Sequence, residues 1–253
     1  MIGFELLKKL LNLDSERKIF FLKKVPLIIK IIKFVYNKFS IKILNQITQD
    51  VVKKSGLEIH SNSINEKKGL FRNVTLIEGF FQSYNLIDNI YNPLFNKSIY
   101  SNNKIIIPTK NTCFVHIRKG DYSDFKYNNC SVELDVSYYL EAIQYILNIN
   151  PNLNFSFCTN APHKYIKDNF TAIEDRYMIL EDQGPNETFT YMTKCHYGII
   201  SNSTFSWMAG HFSNILNKNS LIVAPSNHLG HKFQFEIPEG ILNPKFRYIN
   251  YNP

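Results

Sequence analysis

Residues 113–122, CFVHIRKGDY, place one histidine, two cations and one carboxylate within six residues after an apolar run. Arg118 offers a planar fork of donors for phosphate oxygens, and Lys119 adds a point charge. Gly120 permits a tight turn close to a bound group. These residue types predict a site that holds a diphosphate and stabilises its negative charge as it leaves. The alternative from spacing alone is a surface turn in which Asp121 pairs with Arg118 or caps the next segment.

A second polar segment, residues 201–207 (SNSTFSW), follows an apolar strand pattern and opens a helical one. Hydroxyls and free backbone N–H groups converge at such a helix start, which makes it a natural anion site. An ordinary N-cap would need only one side chain of this kind. The clustering therefore favours a binding site over a simple cap. Its candidate residues are Ser201, Asn202, Ser203, Thr204, Ser206 and Trp207.

Both segments depend on the elements that carry them, and these elements alternate regularly after residue 110. Short apolar runs predict strands at 112–118, 153–158, 177–180, 198–201 and 220–224, and helical patterns lie at 137–149, 163–170, 187–196 and 204–214. This alternation predicts βαβ units in a parallel sheet with helices on both faces. Ligands bind such a sheet at the carboxyl ends of its strands. His116 and Arg118 share strand parity and should point to one face.

The N-terminal part of the chain has a different character. Residues 1–60 hold twelve Lys/Arg against five Asp/Glu, so they carry +7 of the formal net charge of +8. Their apolar periodicity predicts a helix-rich region, while residues 61–68 are polar enough for a linker or exposed loop. The helical pattern over 19–45 fits either a buried helix or an amphipathic helix at an anionic bilayer. We predict a basic, helix-rich domain over 1–110 and a Rossmann-like domain over 111–253.

Several function classes are disfavoured by what the sequence lacks. No run of eighteen apolar residues and no secretory leader is present, so we expect a cytoplasmic protein. The four cysteines are irregularly spaced and predict reduced, mostly buried thiols rather than a metal site. No Gly-rich phosphate loop, no nucleophile elbow and no D-x-D pair occurs. A nucleotide sugar would therefore be held by cationic side chains without a metal. A basic terminus beside a nearly neutral body argues against nucleic acid as the partner.

Three segments in register resemble the bacterial α-1,2-fucosyltransferases of glycosyltransferase family 11. Residues 116–121 (HIRKGD) are similar to the H-x-R-R-x-D motif of that family, and residues 200–207 resemble its second hallmark. Residues 78–84 (EGFFQSY) resemble the aromatic segment before the first motif, which adds Gln82 and Tyr84 as candidate binding residues. The resemblance implies a GT-B-like α/β architecture. It also implies GDP-L-fucose as donor, a galactose-terminated glycan as acceptor, and inversion at the fucose carbon without any cofactor.

The resemblance also implies roles for individual residues. Arg118 would contact the donor diphosphate, and His116 would orient the site or touch the nucleotide. Asp121 would either fix Arg118 or take part in proton transfer. The hydroxyls of the second motif would lie near the donor phosphates. The catalytic candidates are therefore Arg118, His116 and Asp121, and the other motif residues are candidates for substrate binding.

The sequence departs from the family pattern at four places. Lys119 stands where the family usually has Arg, and residues 157–160 (FCTN) replace an acidic F-S-D-D. Met208 replaces a common second Trp. A Gly-rich segment resembling G-G-L-G-N-Q does not occur before residue 60. Related enzymes place groups near the acceptor with that segment.

The expected function is transfer of L-fucose from GDP-fucose to a galactose 2-hydroxyl of an O-antigen or capsule glycan. The reaction would take place at the cytoplasmic face of the membrane, with residues 19–45 as a candidate peripheral contact. A first alternative is a degenerate homologue that binds GDP-fucose or glycan without transfer. A second is an adaptor that binds polyanions through residues 1–60.

Overall fold

The chain forms two compact units, Met1–Tyr91 and Asn92–Pro253. The computed structural model describes residues 18–19, 34, 44–54, 57–68, 71–78, 83–84, 106–127, 129–181, 183–236 and 240–250. The predicted domain boundary near residue 110 lies inside the second unit, shortly before the first strand of its sheet. Among the described residues, no helix is long and apolar enough to cross a bilayer.

The described part of the first unit is a four-stranded sheet. Its strands are β1 (Lys18–Ile19), β2 (Leu44–Lys54), β3 (Leu57–Lys67) and β4 (Phe71–Glu78), in the order β1-β4-β2-β3. β2 and β3 form an antiparallel hairpin, and β4 runs parallel to both β1 and β2. The apolar run at 74–78 lies within β4.

Two predictions for this unit are wrong within the described residues. The helical pattern of the first sixty residues does not hold for β2, and the loop predicted at 61–68 belongs to β3 up to Lys67. The reason is pairing: β2 and β3 satisfy each other's backbone groups, so a polar segment can be a strand without an apolar pattern of its own. Most of the predicted helical pattern over 19–45 lies outside the described residues. Of the residues described there, Phe34 is helical and exposed, and the others belong to β1 and β2.

The second unit is built on a six-stranded sheet in which every neighbouring pair is parallel. The strands of this unit are β5 (Thr112–Ile117), β6 (Lys126–Tyr127), β7 (Cys130–Ser131), β8 (Asn154–Thr159), β9 (Tyr177–Ile179), β10 (Tyr197–Ile199), β11 (Leu221–Pro225) and β12 (Arg247–Ile249). The helices are α1 (Asp121–Asp124), α2 (Val136–Ile149), α3 (His163–Asn169), α4 (Pro185–Lys194) and α5 (Thr204–Leu216). Strands β6 and β7 form a separate small hairpin.

The strand order defines a doubly wound fold. The order is β12-β11-β10-β5-β8-β9, so the chain moves from β5 outward through β8 and β9, then returns to β10 and moves outward on the other side. Numbered from β5, this is the order 3-2-1-4-5-6 of the Rossmann fold. The predicted α/β class with a Rossmann-type parallel sheet in the C-terminal part is confirmed.

The sheet is stabilised by apolar packing on both faces. All six residues of β5 are buried, as a central strand of a covered parallel sheet requires. Tyr138 on α2 is fully buried, and its hydroxyl donates a 2.7 Å hydrogen bond to the carbonyl of Ile200, after β10. The side chain of Asp135 caps α2 by accepting from the backbone N–H of Ser137.

The cysteines fit their predicted structural role. Cys113, Cys158 and Cys195 are free and buried, while Cys130 is partly exposed. Burial raises the pKa of all three buried thiols, that of Cys158 to about 12. They therefore remain protonated at neutral pH and act as small apolar side chains.

Candidate active site

Both polar segments meet at the point where the strand order reverses. β5 and β10 are neighbours in the sheet, with Cys113, Phe114 and Val115 in register with residues 197–199. The first segment follows β5 and the second follows β10. The chain leaves these two strands in opposite directions across the sheet, which opens a crevice at their carboxyl ends. The fold therefore brings together two segments that lie 85 positions apart at His116 and Ser201.

His116 and Ser201 form a buried link between the two strands. The Nδ1 atom of His116 lies 2.8 Å from Ser201 Oγ, and the two side chains share a hydrogen bond. Burial, together with a smaller contribution from the charge of Arg118, lowers the pKa of His116 to about 3. The imidazole is therefore neutral at physiological pH. The imidazole can hold neighbouring groups of the site in place, but it cannot supply positive charge.

Arg118 is the cation that directly follows β5, at the point where the strand order reverses. Its Nη2 atom donates to Asp121 Oδ2 at 2.8 Å, and the side chain is 36% exposed. Its Nε atom is buried and has no hydrogen-bond partner within the described part of the chain. A buried guanidinium N–H without a partner costs free energy, so an incoming acceptor would be bound favourably there. Arg118 thus combines an exposed ion pair with an unused donor.

Tyr122 connects Arg118 to the second segment, and it was not among the predicted site residues. The Arg118 Cζ atom lies 5.6 Å from the centre of the Tyr122 ring, within cation–π range. The Tyr122 hydroxyl donates to the carbonyl of Asn202 at 3.3 Å. Burial raises the pKa of Tyr122, so the hydroxyl keeps its proton. Helix α1 turns the chain back after Gly120, whose φ of +67° favours glycine. The signal in the sequence that could have identified Tyr122 is its position four residues after Arg118.

Lys119 has its ammonium group occupied within the protein. It forms a salt bridge with Glu133 and lies 4.3 Å from the centre of the Tyr165 ring. Burial lowers the pKa of Lys119, but the hydrogen bond and charge of Glu133 outweigh that effect and raise it overall. Lys119 and Glu133 also line a polar cavity of about 420 Å³ with Asp135 and Tyr165. Of the two cations, Arg118 is thus the one that keeps a donor without a partner in the described part of the chain.

The second segment is largely buried. Asn202 Nδ2 donates to the carbonyl of Val132 at 2.6 Å, which ties the segment to the chain before α2. Ser206 Oγ lies within hydrogen-bond distance of the carbonyls of Ser201 and Ser203. Trp207 is only 2% exposed, and its indole N–H donates to Ile241 O. These side chains shape the crevice from within the protein.

The start of α5 is largely buried, with Ser203 only 6% exposed. Ser203 occupies the N-cap position without a side-chain hydrogen bond to the helix backbone, and Thr204 is the first helical residue. The positive end of the helix dipole therefore lies beside Asn202, which Tyr122 links to Arg118. Of the two candidates from the aromatic segment, Gln82 lies outside the described residues. Tyr84 is partly buried in the first unit.

A doubly wound sheet with an arginine and a helix start at its switch point is the architecture of a nucleotide-binding α/β protein. Comparison with known proteins narrows this class to one family. The sequence profile described as Glycosyl transferase family 11 matches residues 12–250, and the chain belongs to this family.

One curated relative is the O-antigen biosynthesis glycosyltransferase WbnK of Escherichia coli. It is 25% identical over 178 residues, which cover 64% of this chain and 58% of the relative. The chain thus spans little more than half the length of that protein. No solved structure matches the chain.

Proposed function

We propose that this protein is a galactoside α-1,2-fucosyltransferase that moves L-fucose from GDP-L-fucose to a galactose 2-hydroxyl of a surface glycan. Family membership and the motif 116–121 support the donor assignment. The name of the Escherichia coli relative supports a glycan of the O-antigen type as acceptor. The single observation that carries the proposal is the unused, buried Nε donor of Arg118 at the switch point of the sheet.

The proposed chemistry starts from charge stabilisation. Transfer breaks the bond between the fucose carbon and the β-phosphate oxygen, and the electron pair leaves with GDP. Arg118 binds the diphosphate and stabilises the charge that develops on it, assisted by the positive end of α5. His116 stays neutral and holds the β5 and β10 connections in register through Ser201. In this scheme the guanidinium supplies the positive charge, so no metal ion is required.

Inversion requires the acceptor hydroxyl to attack from the side opposite to GDP and to lose its proton as the new bond forms. Asp121 is the carboxylate of the first motif, and it lies 2.8 Å from Arg118 Nη2. We assign it to fixing Arg118, because its carboxylate already accepts a hydrogen bond from the guanidinium. Proton transfer by Asp121 is the competing assignment, and the two differ in their effect on turnover.

The proposed location is the cytoplasmic face of a membrane where the glycan is assembled. The net charge of +7 on residues 1–60 supports contact with anionic lipid through residues 19–45. In a flotation assay, vesicles that contain about 30% phosphatidylglycerol, an anionic fraction on the order of the physiological one, should recover the protein. Vesicles of neutral phosphatidylcholine should not. Equal recovery with both vesicle types would argue against an electrostatic contact.

The decisive experiment combines binding and transfer. Calorimetry should detect GDP binding by the wild type, and Arg118→Ala should weaken it at least about a hundredfold, as loss of a charge-assisted, bidentate contact implies. Arg176→Ala is the matched control, because Arg176 is a surface arginine in the segment before β9 whose Nη1 donates to Pro151 O. Unchanged GDP affinity in Arg118→Ala would overturn the site assignment.

Transfer of labelled fucose to a galactoside should then occur equally with and without EDTA. If the protein binds GDP but transfers fucose to no galactoside, with or without added divalent cations, the result would instead support the degenerate homologue. The absence of a recognisable Gly-rich segment in this sequence is the feature that favours this second candidate.

A further inference from the structure

We propose that Glu133 is a positioning residue, which acts through Lys119 to fix the connection that carries Arg118. The proposal rests on the proposed function, because the group being positioned is the diphosphate ligand Arg118. Glu133 lies between strand β7 and helix α2, outside both sequence motifs. Its expected role is to set the affinity for the donor without touching it.

The contacts of Glu133 converge on the connection after β5. Its Oε1 atom accepts from the ammonium of Lys119, and its Oε2 atom accepts from Ser123 Oγ at 2.9 Å. Its own backbone N–H donates to Ser131 Oγ at 3.2 Å. One carboxylate thus binds both sides of the turn at Gly120 and ties that turn to the β6–β7 hairpin.

Lys119 is held at its backbone as well as at its side chain. Asn160, at the end of β8, accepts from Lys119 N–H at 2.8 Å and donates to Lys119 C=O at 2.9 Å. An amide can make both bonds, whereas a carboxylate at this position could only accept. Asn160 and Glu133 therefore hold Lys119 from two elements. Because Arg118 is the adjacent residue, its backbone is fixed as well.

The environment of the ion pair favours this structural use of Lys119. The side chains of Lys119 and Glu133 are only 17% and 22% exposed, so solvent and salt screen the pair less than they screen a surface pair. The Tyr165 ring lies 4.3 Å from the ammonium and adds a cation–π contact. Removing one partner would leave the other charge partly buried and uncompensated.

The two possible roles of Lys119 predict opposite effects of Glu133→Gln. If Glu133 positions the connection, the substitution loosens it, and GDP binding should weaken about three- to tenfold, which corresponds to the loss of roughly one net hydrogen bond. If Lys119 instead binds diphosphate directly, the substitution frees its ammonium, and GDP binding should tighten. Glu141→Gln, at an exposed position on α2, is the matched control and should leave GDP binding unchanged.

A double-mutant cycle tests whether Glu133 acts through Lys119. Lys119→Met should weaken GDP binding about as much as Glu133→Gln, and the double variant should be no worse than either single variant. A much larger effect of Lys119→Met would identify a direct ligand and overturn the inference. Full additivity of the two effects would overturn it as well, because Glu133 would then act by another route.

Hydrogen exchange separates a failure of this inference from a failure of the proposed function. Amides 118–124 should exchange faster in Glu133→Gln than in the wild type, whether or not GDP binds. If the wild type does not bind GDP, the proposed function fails, and the exchange rates alone decide the positioning role. Unchanged exchange at these amides would overturn the inference.

Discussion

The Arg118 guanidinium lies over the ring of Tyr122, with 5.6 Å between Cζ and the ring centre. The hydroxyl of the same tyrosine donates to Asn202 O, in the connection after β10. One aromatic side chain therefore couples the cation of the first motif to the loop of the second. This coupling fixes the orientation of Arg118 relative to the start of α5 more directly than the ion pair with the exposed Asp121.

Tyr122→Phe should weaken GDP binding about three- to tenfold, since a net hydrogen bond contributes about 1 kcal/mol and the ring contact with Arg118 is kept. Tyr122→Ala removes both contacts and should weaken binding further. Tyr145→Phe is the control, because the Tyr145 ring also lies under an arginine, Arg247, at 5.3 Å. Titration calorimetry measures all three. Equal binding by wild type and Tyr122→Ala would refute the coupling.

Asp121→Asn should leave the protein almost as stable as the wild type, because the Asp121 side chain is 60% exposed and such pairs contribute about 0–1 kcal/mol. Transfer should persist with a turnover number within about tenfold of the wild type, since general-base loss typically costs about a hundredfold or more. Steady-state kinetics with varied acceptor measures this. A much larger fall in turnover at unchanged GDP affinity would identify Asp121 as the base instead.

The regular α/β part of the fold could be predicted because its signals are local. The apolar run at 112–118 and the helical pattern at 137–149 differ from the observed β5 and α2 by only one residue at one end. The β2–β3 hairpin could not be found in this way. Its strands are stabilised by pairing with each other, and pairing between strands leaves little trace in the composition of either strand.

The candidate site was predictable in part for the same reason. Arg118 and the residues of the second segment stand out by type and by their position after apolar strands. Glu133 has no such signal, because its contacts depend on the hairpin before α2. Asn160 does follow a predicted strand, but its two bonds to the Lys119 backbone are seen only in the structure. Tyr122 belongs to the quoted motif, but its role follows only from the turn at Gly120. Sequence patterns thus singled out Arg118 as the candidate cation, while the side chains that contact its connection required the structure.

Stability should fall as the pH decreases from about 6.5 toward 3, because His116 and His228 are held neutral in the folded protein. Burial is the main cause in both, and it lowers each pKa to about 3, against 6.5 for an exposed histidine. Unfolding lets both take up protons in this pH range, so protonation favours the unfolded state. The melting temperature should therefore drop between pH 7 and pH 4.

The same measurement on variants assigns this drop to particular side chains. His116→Gln and His228→Gln should each reduce the difference in melting temperature between pH 7 and pH 4. Lys167→Gln, at an exposed position on α3, changes no histidine and serves as the control. An equal pH dependence in the wild type and both buried-site variants would contradict the assignment.

Gly198→Ala should be among the most destabilising small substitutions in the sheet. Gly198 on β10 is in register with Phe114 on β5, and an added Cβ would lie 2.2 Å from the Phe114 ring. The ring is fully buried and cannot move away, so the overpacking should cost about 3 kcal/mol of unfolding free energy. Urea unfolding measures this, and wild-type stability in the variant would contradict the close packing of the two strands.

Two further variants test the cause of that destabilisation. Gly210→Ala on α5 places its Cβ 2.9 Å from Ile222 Cγ2, a milder clash that the higher helix propensity of alanine offsets by about 1 kcal/mol. It should therefore be clearly less destabilising than Gly198→Ala. Adding Phe114→Leu to Gly198→Ala should recover part of the lost stability, because the smaller side chain leaves room for the new methyl group. If the losses of stability from Phe114→Leu and Gly198→Ala simply add, the ring is not the source of the strain. The junction of β5 and β10 would then be packed more loosely than the 2.2 Å contact implies.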